Sequence, residues 1–240
     1  MALPLLANCG LSNQTLPRLT LIKQQTAVDG SFLIASVLGH RLKSDKDTRV
    51  LLVAAQHGYG HYSSACAKLA YNLGPARDSG QLLVLDVGAE LTQNYPVCPN
   101  VDTVRERIET VLAASPKVTI IIDDLTYLLN YGHTETELIQ LVEQFVARRG
   151  PEQSFVIKLN TADLFEWLCA NLDDLAQTEV RLETLSSGNF REVDGRLSVS
   201  RMVGDDELIC LKQQEKSVLY KVNDRNVKVF VPGEIGIKHL

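Results

Sequence analysis

A chain of 240 residues with 45% hydrophobic content is long enough for one large α/β domain with a full core. Its formal charge of −5 argues against a strongly basic nucleic-acid module acting alone. No apolar stretch approaches the roughly 20 residues of a membrane span, and the apolar opening Met1–Cys9 has no basic residue and contains Pro4, so a soluble intracellular protein is expected.

Residues 1–18, with Gly10 and Pro17, read as an N-terminal arm, a loop that packs late, before a domain spanning 19–240. No Ser/Gly/Pro-rich linker divides the remainder, although two small domains stay open. The apolar strand Leu19–Ile22 leads into Gln25–Ser31 and then a helical run from Phe32, apolar at 32, 33, 34, 37, 38 and 42. That is too wide for a surface stripe and predicts a helix covered on most sides. Strand, loop and helix in this order are the setting of a P-loop, which needs glycines and Gly-Lys-[Ser/Thr] to wrap phosphates. Here the loop has Asp29, Gly30, Ser31 and Phe32 and no lysine. At ~4 Å and an effective dielectric of ~20, a carboxylate facing a phosphate charge costs roughly 4 kcal/mol. The loop is a degenerate one, built to turn.

Val50–Ala55 and Leu82–Leu85 read as strands buried on both faces, separated by a helix at about 61–73 that stops at Gly74-Pro75. Residues 88–100 look like loop and 101–114 like a short helix. Val118–Leu125 is another buried strand, ending in Asp123 and Asp124. A helix at about 134–149 carries a Thr134/Glu137 capping box and ends at Gly150-Pro151. Ser154–Leu159 is the next strand, and Asp163 with Glu166 is expected to cap a helix holding Leu164, Trp167 and Leu168. Beyond about 178 the period changes to antiparallel strands, around 180–182, 193–199, 218–222 and 227–231, with turns at Asp194-Gly195 and Asn223–Asn226. The fold class is therefore α/β: a mostly parallel sheet flanked by helices and finished by antiparallel C-terminal strands, the RecA-like outline.

Three constellations bear on chemistry. Ile120–Asp123, followed by Asp124, fits a Walker B segment, in which a carboxylate holds magnesium through water; Asp124 serves equally as a cap for the next turn. Where RecA-like ATPases place a water-polarising glutamate, the chain has Gln56 before His57, and an amide is no general base. His57, Tyr59, His61 and Tyr62 form an aromatic cluster, but His57 and His61 flank two glycines and do not read as a metal site; a helix entry with Tyr62 packed inward is favoured. No catalytic residue, metal or cofactor is predicted. The five cysteines, odd in number and without a Cys-x-x-Cys pair, indicate neither a disulfide framework nor a zinc ribbon. Residues 1–120 carry 11 basic and 9 acidic residues (+2) and 121–240 carry 13 and 20 (−7), so any RNA contact must be local. Arg148, Arg149, Arg191, Arg196 and Arg201 are the candidate phosphate contacts, with surface charge pairs the alternative for each.

Asp29-Gly30-Ser31-Phe32-Leu33, His61-Tyr62 with Lys68-Leu69 and Asn72-Leu73, Asp123-Asp124-Leu125 with Leu128-Leu129, and the closing Tyr220-Lys221-Val222-x-Asp224-x-x-Val227-x-x-Phe230 resemble, in order and over nearly the whole chain, the sixth-subunit family of the eukaryotic Elongator complex. The resemblance implies a RecA-like fold without ATPase signatures and a non-catalytic accessory role. It further implies a heterohexameric ring with two paralogous RecA-like subunits, the fourth and fifth. That ring would bind tRNA and dock on the catalytic Elongator subcomplex that begins 5-carboxymethyl-type modification of the wobble uridine, U34. Residues near Asp29–Phe32 and from Gln56 and His57 to His61 and Tyr62 would then form subunit interface, and Arg148 and Arg149 would touch tRNA. Two other readings stay open: an active ATPase with a displaced lysine such as Lys23, and a membrane-peripheral or cytoskeletal adaptor. Cytoplasmic placement is expected; no basic import cluster is evident, and a nuclear share stays open.

Overall fold

The computed structural model describes residues 3–13, 15–94, 101–186, 188, 191–203 and 211–231. Their strands are β1 (Leu19–Gln24), β2 (Arg49–Ala54), β3 (Leu82–Asp86), β4 (Val118–Asp123), β5 (Gln153–Asn160), β6 (Thr178–Glu183), β7 (Gly195–Val203), β8 (Leu211–Asn223) and β9 (Asn226–Phe230). They form one sheet in the order β3-β2-β4-β5-β1-β6-β7-β8-β9. The first six in that row are parallel, and pairing from β6 through β9 is antiparallel.

The period-2 alternation of strands sorts side chains between two cores. Ile22, Val50, Leu52, Ile121 and Val156 face α1 (Leu3–Asn8), α2 (Ser31–Ser44) and α3 (Tyr59–Lys68). α4 (Gly74–Asp78) adds Ala76 to that same core, whereas Leu21, Leu51, Val53, Ile120, Ile122 and Ile157 face the opposite layer, formed by α5 (Val87–Asn94), α6 (Val101–Ala114), α7 (Glu135–Arg148) and α8 (Glu166–Asp173), of which the last three supply Ile108, Leu141 and Leu168. Apolar side chains on both faces explain why the central strands read as unbroken hydrophobic runs. α2 is buried along most of its circumference, as its pattern predicts. At α7 the capping box is formed: the Thr134 hydroxyl accepts from Glu137 N and the Glu137 carboxylate accepts from Thr134 N.

Several local expectations are corrected. The arm read as loop carries α1, and Leu5, Leu6, Cys9 and Leu11 are buried in the first core. The helix expected over 61–73 ends near Lys68, where Ala70 takes φ 62°, and Gly74-Pro75 opens α4 instead of closing α3, since proline is tolerated in a first turn. Of residues 88–100, expected as loop, 88–94 belong to α5; 95–100 lie outside the described residues. β4 stops at Asp123, and Leu125–Tyr131 is a 3-10 helix. Asp163 and Glu166 make no side-chain cap at α8; Asp163 begins a short 3-10 turn, and both Leu164 and Trp167 are exposed. β6, expected among the antiparallel strands, is parallel to β1 on one edge and antiparallel to β7 on the other. Asp224 and Arg225 form the tight β8–β9 turn, whereas Asp194 accepts hydrogen bonds from Val222 N (2.7 Å) and Lys221 Nζ (2.6 Å), tying the start of β7 to β8. Gly195 is required there: a Cβ would lie 2.5 Å from the Glu183 carbonyl oxygen.

Candidate functional site

All central parallel strands end on the same side, so the loops after β1, β2 and β4 converge above one edge of the sheet. The loop after β1 closes on itself. Gln24 is the last residue of β1, and its Oε1 accepts from Gly30 N at 2.7 Å. A Cβ at Gly30 would come within 2.9 Å of Leu182 Cδ1 and 3.0 Å of that same Oε1, which is the packing reason for glycine here. Asp29 then folds over the N-terminus of α2: Oδ1 accepts from Ser31 N (2.9 Å) and Oδ2 from Ser31 Oγ (2.8 Å). Free N–H groups at a helix start attract an anion, and the chain supplies its own carboxylate at that point. Burial pushes the Asp29 carboxyl up, but the Ser31 hydrogen bonds and the Lys158 and His57 charges outweigh it and hold it below the usual carboxylate value.

Beneath this loop lies a buried polar cluster. Asp123 ends β4 at zero exposure, and Lys158, on neighbouring β5 and also at zero exposure, forms an ion pair with its Oδ1. The Tyr62 hydroxyl donates to Asp123 Oδ2, and Lys158 Nζ donates to Gln56 Oε1 at 2.6 Å. Burial, and then the Asp123 charge, push the Tyr62 phenol far above its ordinary value, so it stays a donor. Asp124 caps the following 3-10 helix: its Oδ1 accepts from Thr126 N (2.9 Å) and Thr126 Oγ1 (2.6 Å), while its buried Oδ2 has no hydrogen-bond partner. Burial raises its carboxyl to about 6, against the pull of Lys158.

A nucleotide with its magnesium ion does not fit these residues. The phosphate position at the start of α2 already holds a carboxylate, and a cation at Asp123 would have to displace the Lys158 ammonium. Among the described residues no three His, Cys, Asp or Glu side chains converge in a metal-binding group. Beside the loop is an open groove of about 750 Å³ between α2, α3 and the β8–β9 hairpin, with Phe32, Leu69, Tyr220 and Val227 among its lining. His57 and His61 stack at its side, ring centroids 4.1 Å apart, with His57 Nε2 3.8 Å from Asp29 Oδ1. Burial, and then the His57 charge, lower the His61 pKa.

The loop, Gln56, the histidines, Tyr62 and the Asp123–Asp124 pair are thus brought together. Arg148 and Arg149 are not: they close α7 at the opposite end of the sheet, before β5 begins. There Arg149 Nη1 donates to Gly150 O at 2.8 Å, and burial and then the Arg18 charge lower its pKa. Arg201 packs its guanidinium against Gly10, where φ of +68° and the absence of Cβ make room. Lys23, the displaced lysine of the ATPase reading, is 2.6 Å from Asp173 and 3.5 Å from Glu179 and nearly fully buried. The residue missed from sequence is Lys158. A lysine at an inward position of a strand otherwise reading Phe155-Val156-Ile157 is the available signal, because a buried ammonium demands a partner carboxylate.

Among the described residues no helix is long and apolar enough to cross a membrane. The fold is RecA-like. Among solved structures it resembles the flagellar accessory protein FlaH from Methanocaldococcus jannaschii (TM-score 0.65, 17% identity, 90% of this chain and 91% of that one). It also resembles a KaiC-like protein from Pyrococcus horikoshii (TM-score 0.61, 10% identity, 90% and 89%). No protein-family model matches the sequence. Among curated proteins, human Elongator complex protein 6 is 25% identical over 85% of this chain and 87% of its own length, and the Xenopus tropicalis protein is 27% identical over the same shares. Since Elongator complex protein 6 of Drosophila melanogaster is 35% identical over 99% of this chain and all of its own length, the chain belongs to the Elongator complex protein 6 family.

Proposed function

We propose that the chain is a non-catalytic accessory subunit of Elongator that assembles with two paralogous RecA-like subunits, the fourth and fifth, into a heterohexameric ring. The ring binds tRNA and supports 5-carboxymethyl-type modification of the wobble uridine by the catalytic subcomplex. One observation carries the non-catalytic part of this reading: the chain's own Asp29 occupies the helix start where a phosphate would sit, and Lys158 neutralises the Walker-B-like Asp123. A RecA-like groove relieved of nucleotide becomes available to a neighbouring subunit, and its apolar floor at Phe32, Tyr220 and Val227 suits burial. Arg148 and Arg149, at the far end of the sheet, are the proposed contribution to the tRNA surface.

Native mass spectrometry of the tagged chain, purified gently from its own cells, tests the assembly. A hexamer with two copies each of this chain and two RecA-like partners, retaining tRNA at low salt, is the expected result. A monomer or homo-oligomer carrying ATP overturns it in favour of an enzyme. The adaptor reading would require the isolated chain to bind a membrane or filament as strongly as the whole assembly does.

A further inference from the structure

The most exposed large apolar side chain among the described residues is Leu164, at 79%, and three positions on stands Trp167 at 51%, the only tryptophan of the chain. The spacing puts them on one face of the 3-10 turn and α8. The other face of α8 supplies Leu168, Cys169 and Leu172 to the core, so the fold does not need Leu164 or Trp167 for its own packing. Asp163 and Glu166 adjoin them in sequence and are exposed, as is Asp174 at the C-terminal end of α8. From Leu159 to Val180 the sequence has five acidic residues and no basic one; Asp173 and Glu179 pair with buried Lys23, so the charge of this surface comes from Asp163, Glu166 and Asp174. The flanking cations are engaged: Lys158 with Asp123, and Arg181 with Glu179 at 2.7 Å. α7, which packs against α8, carries Glu135, Glu137 and Glu143, with Glu137 engaged in the Thr134 cap and Arg148 in the last turn.

We propose that the Leu164–Trp167 face is a docking surface for a basic amphipathic helix of another protein, which would lay apolar side chains over Leu164 and Trp167 and set Lys or Arg against Asp163, Glu166 and Asp174. Exposed tryptophan next to apolar surface is the kind of residue that dominates interface energy, and an amphipathic helix presents an apolar stripe flanked by charge, the complement of an apolar pair beside carboxylates. The acidic border selects among occupants. It repels nucleic-acid phosphate and anionic lipid headgroups. A second copy in a two-fold contact would bring the same acidic border against itself. The inference stands apart from the ring and tRNA reading above.

Trp167 is its own reporter. The full chain is titrated with a synthetic amphipathic Leu–Lys peptide, with its Leu–Glu counterpart, and with tRNA, while tryptophan emission and anisotropy are followed. Emission is expected to shift to the blue with Leu–Lys only. Leu164→Ser should weaken that binding roughly thirty-fold, as loss of a central anchor does. Asp163→Lys with Glu166→Lys should abolish it, with the melting temperature unchanged in each. If Leu164→Ser lowers the melting temperature, Leu164→Ala replaces it. The proposal is overturned by an emission shift with tRNA or the Leu–Glu peptide, by Leu–Lys binding indifferent to these substitutions, by no Leu–Lys response, or by concentration-dependent self-association that buries Trp167 in sedimentation.

Discussion

Replacing Lys158 with methionine keeps the length and apolar stem of the side chain and removes its charge. Asp123 would then be a fully buried carboxylate whose remaining partner is the Tyr62 hydroxyl, with buried Asp124 beside it. Breaking a buried ion pair from one side costs about 3–5 kcal/mol, because the surviving charge is uncompensated in a low dielectric. For a chain of this size each kcal/mol moves the melting temperature by about 2–4 °C, so Lys158→Met should lower it by about 10 °C. Adding Asp123→Asn removes the orphaned charge while leaving a carbonyl for Tyr62, and the double variant should recover more than half of the loss. Urea titration and calorimetry of wild type, both single variants and the double variant close the cycle. A loss below about 1 kcal/mol in Lys158→Met, or a double variant no better than the single, refutes the picture of a closed Lys158–Asp123 pair in place of a cation site.

Asp124, with its ordinary value of 3.8 raised to about 6, favours the folded state at low pH, and that contribution disappears as pH rises through about 6. Asp124→Asn should therefore flatten the stability–pH curve between about pH 4 and 6 and stabilise at pH 7 by at most about 3 kcal/mol, read by urea titration at several pH values. Asp29 is shifted the other way, so its contribution is present at neutral pH and fades as pH falls through its lowered value. Asp29→Ala should cost about 1 kcal/mol at pH 7 by uncovering the start of α2, and the loss should shrink in acid. If the proposed ring binds tRNA through Arg148 and Arg149, reversing both to glutamate should reduce that affinity and flatten its salt dependence without dissociating the assembly; unchanged affinity and slope in filter binding refute a role for these two arginines.

Strands β1, β2, β3, β4 and β5 and helix α2 were legible from pattern alone, because these strands are apolar runs and α2 is long enough to show its period, whereas β6, with Glu179 and Arg181 among its residues, did not reveal its parallel partner. The Thr134–Glu137 cap was equally legible, since its bonds run between residues three apart. The degenerate loop was readable too: a missing lysine and an added aspartate are facts of composition. Short elements were not. α1, α4 and α5 have eight residues or fewer, which gives periodicity little to act on, and they are held in place by the sheet they cover. The engagement of Asp123 by Lys158 was invisible as well, since 35 positions separate them and only adjacent parallel strands bring β4 and β5 side by side in register. Local chemistry along the chain thus specified which groups the loop lacks; the pairing of strands specified which charges meet, and burial specified which of them matter, because a charge cut off from water must find its partner inside the fold.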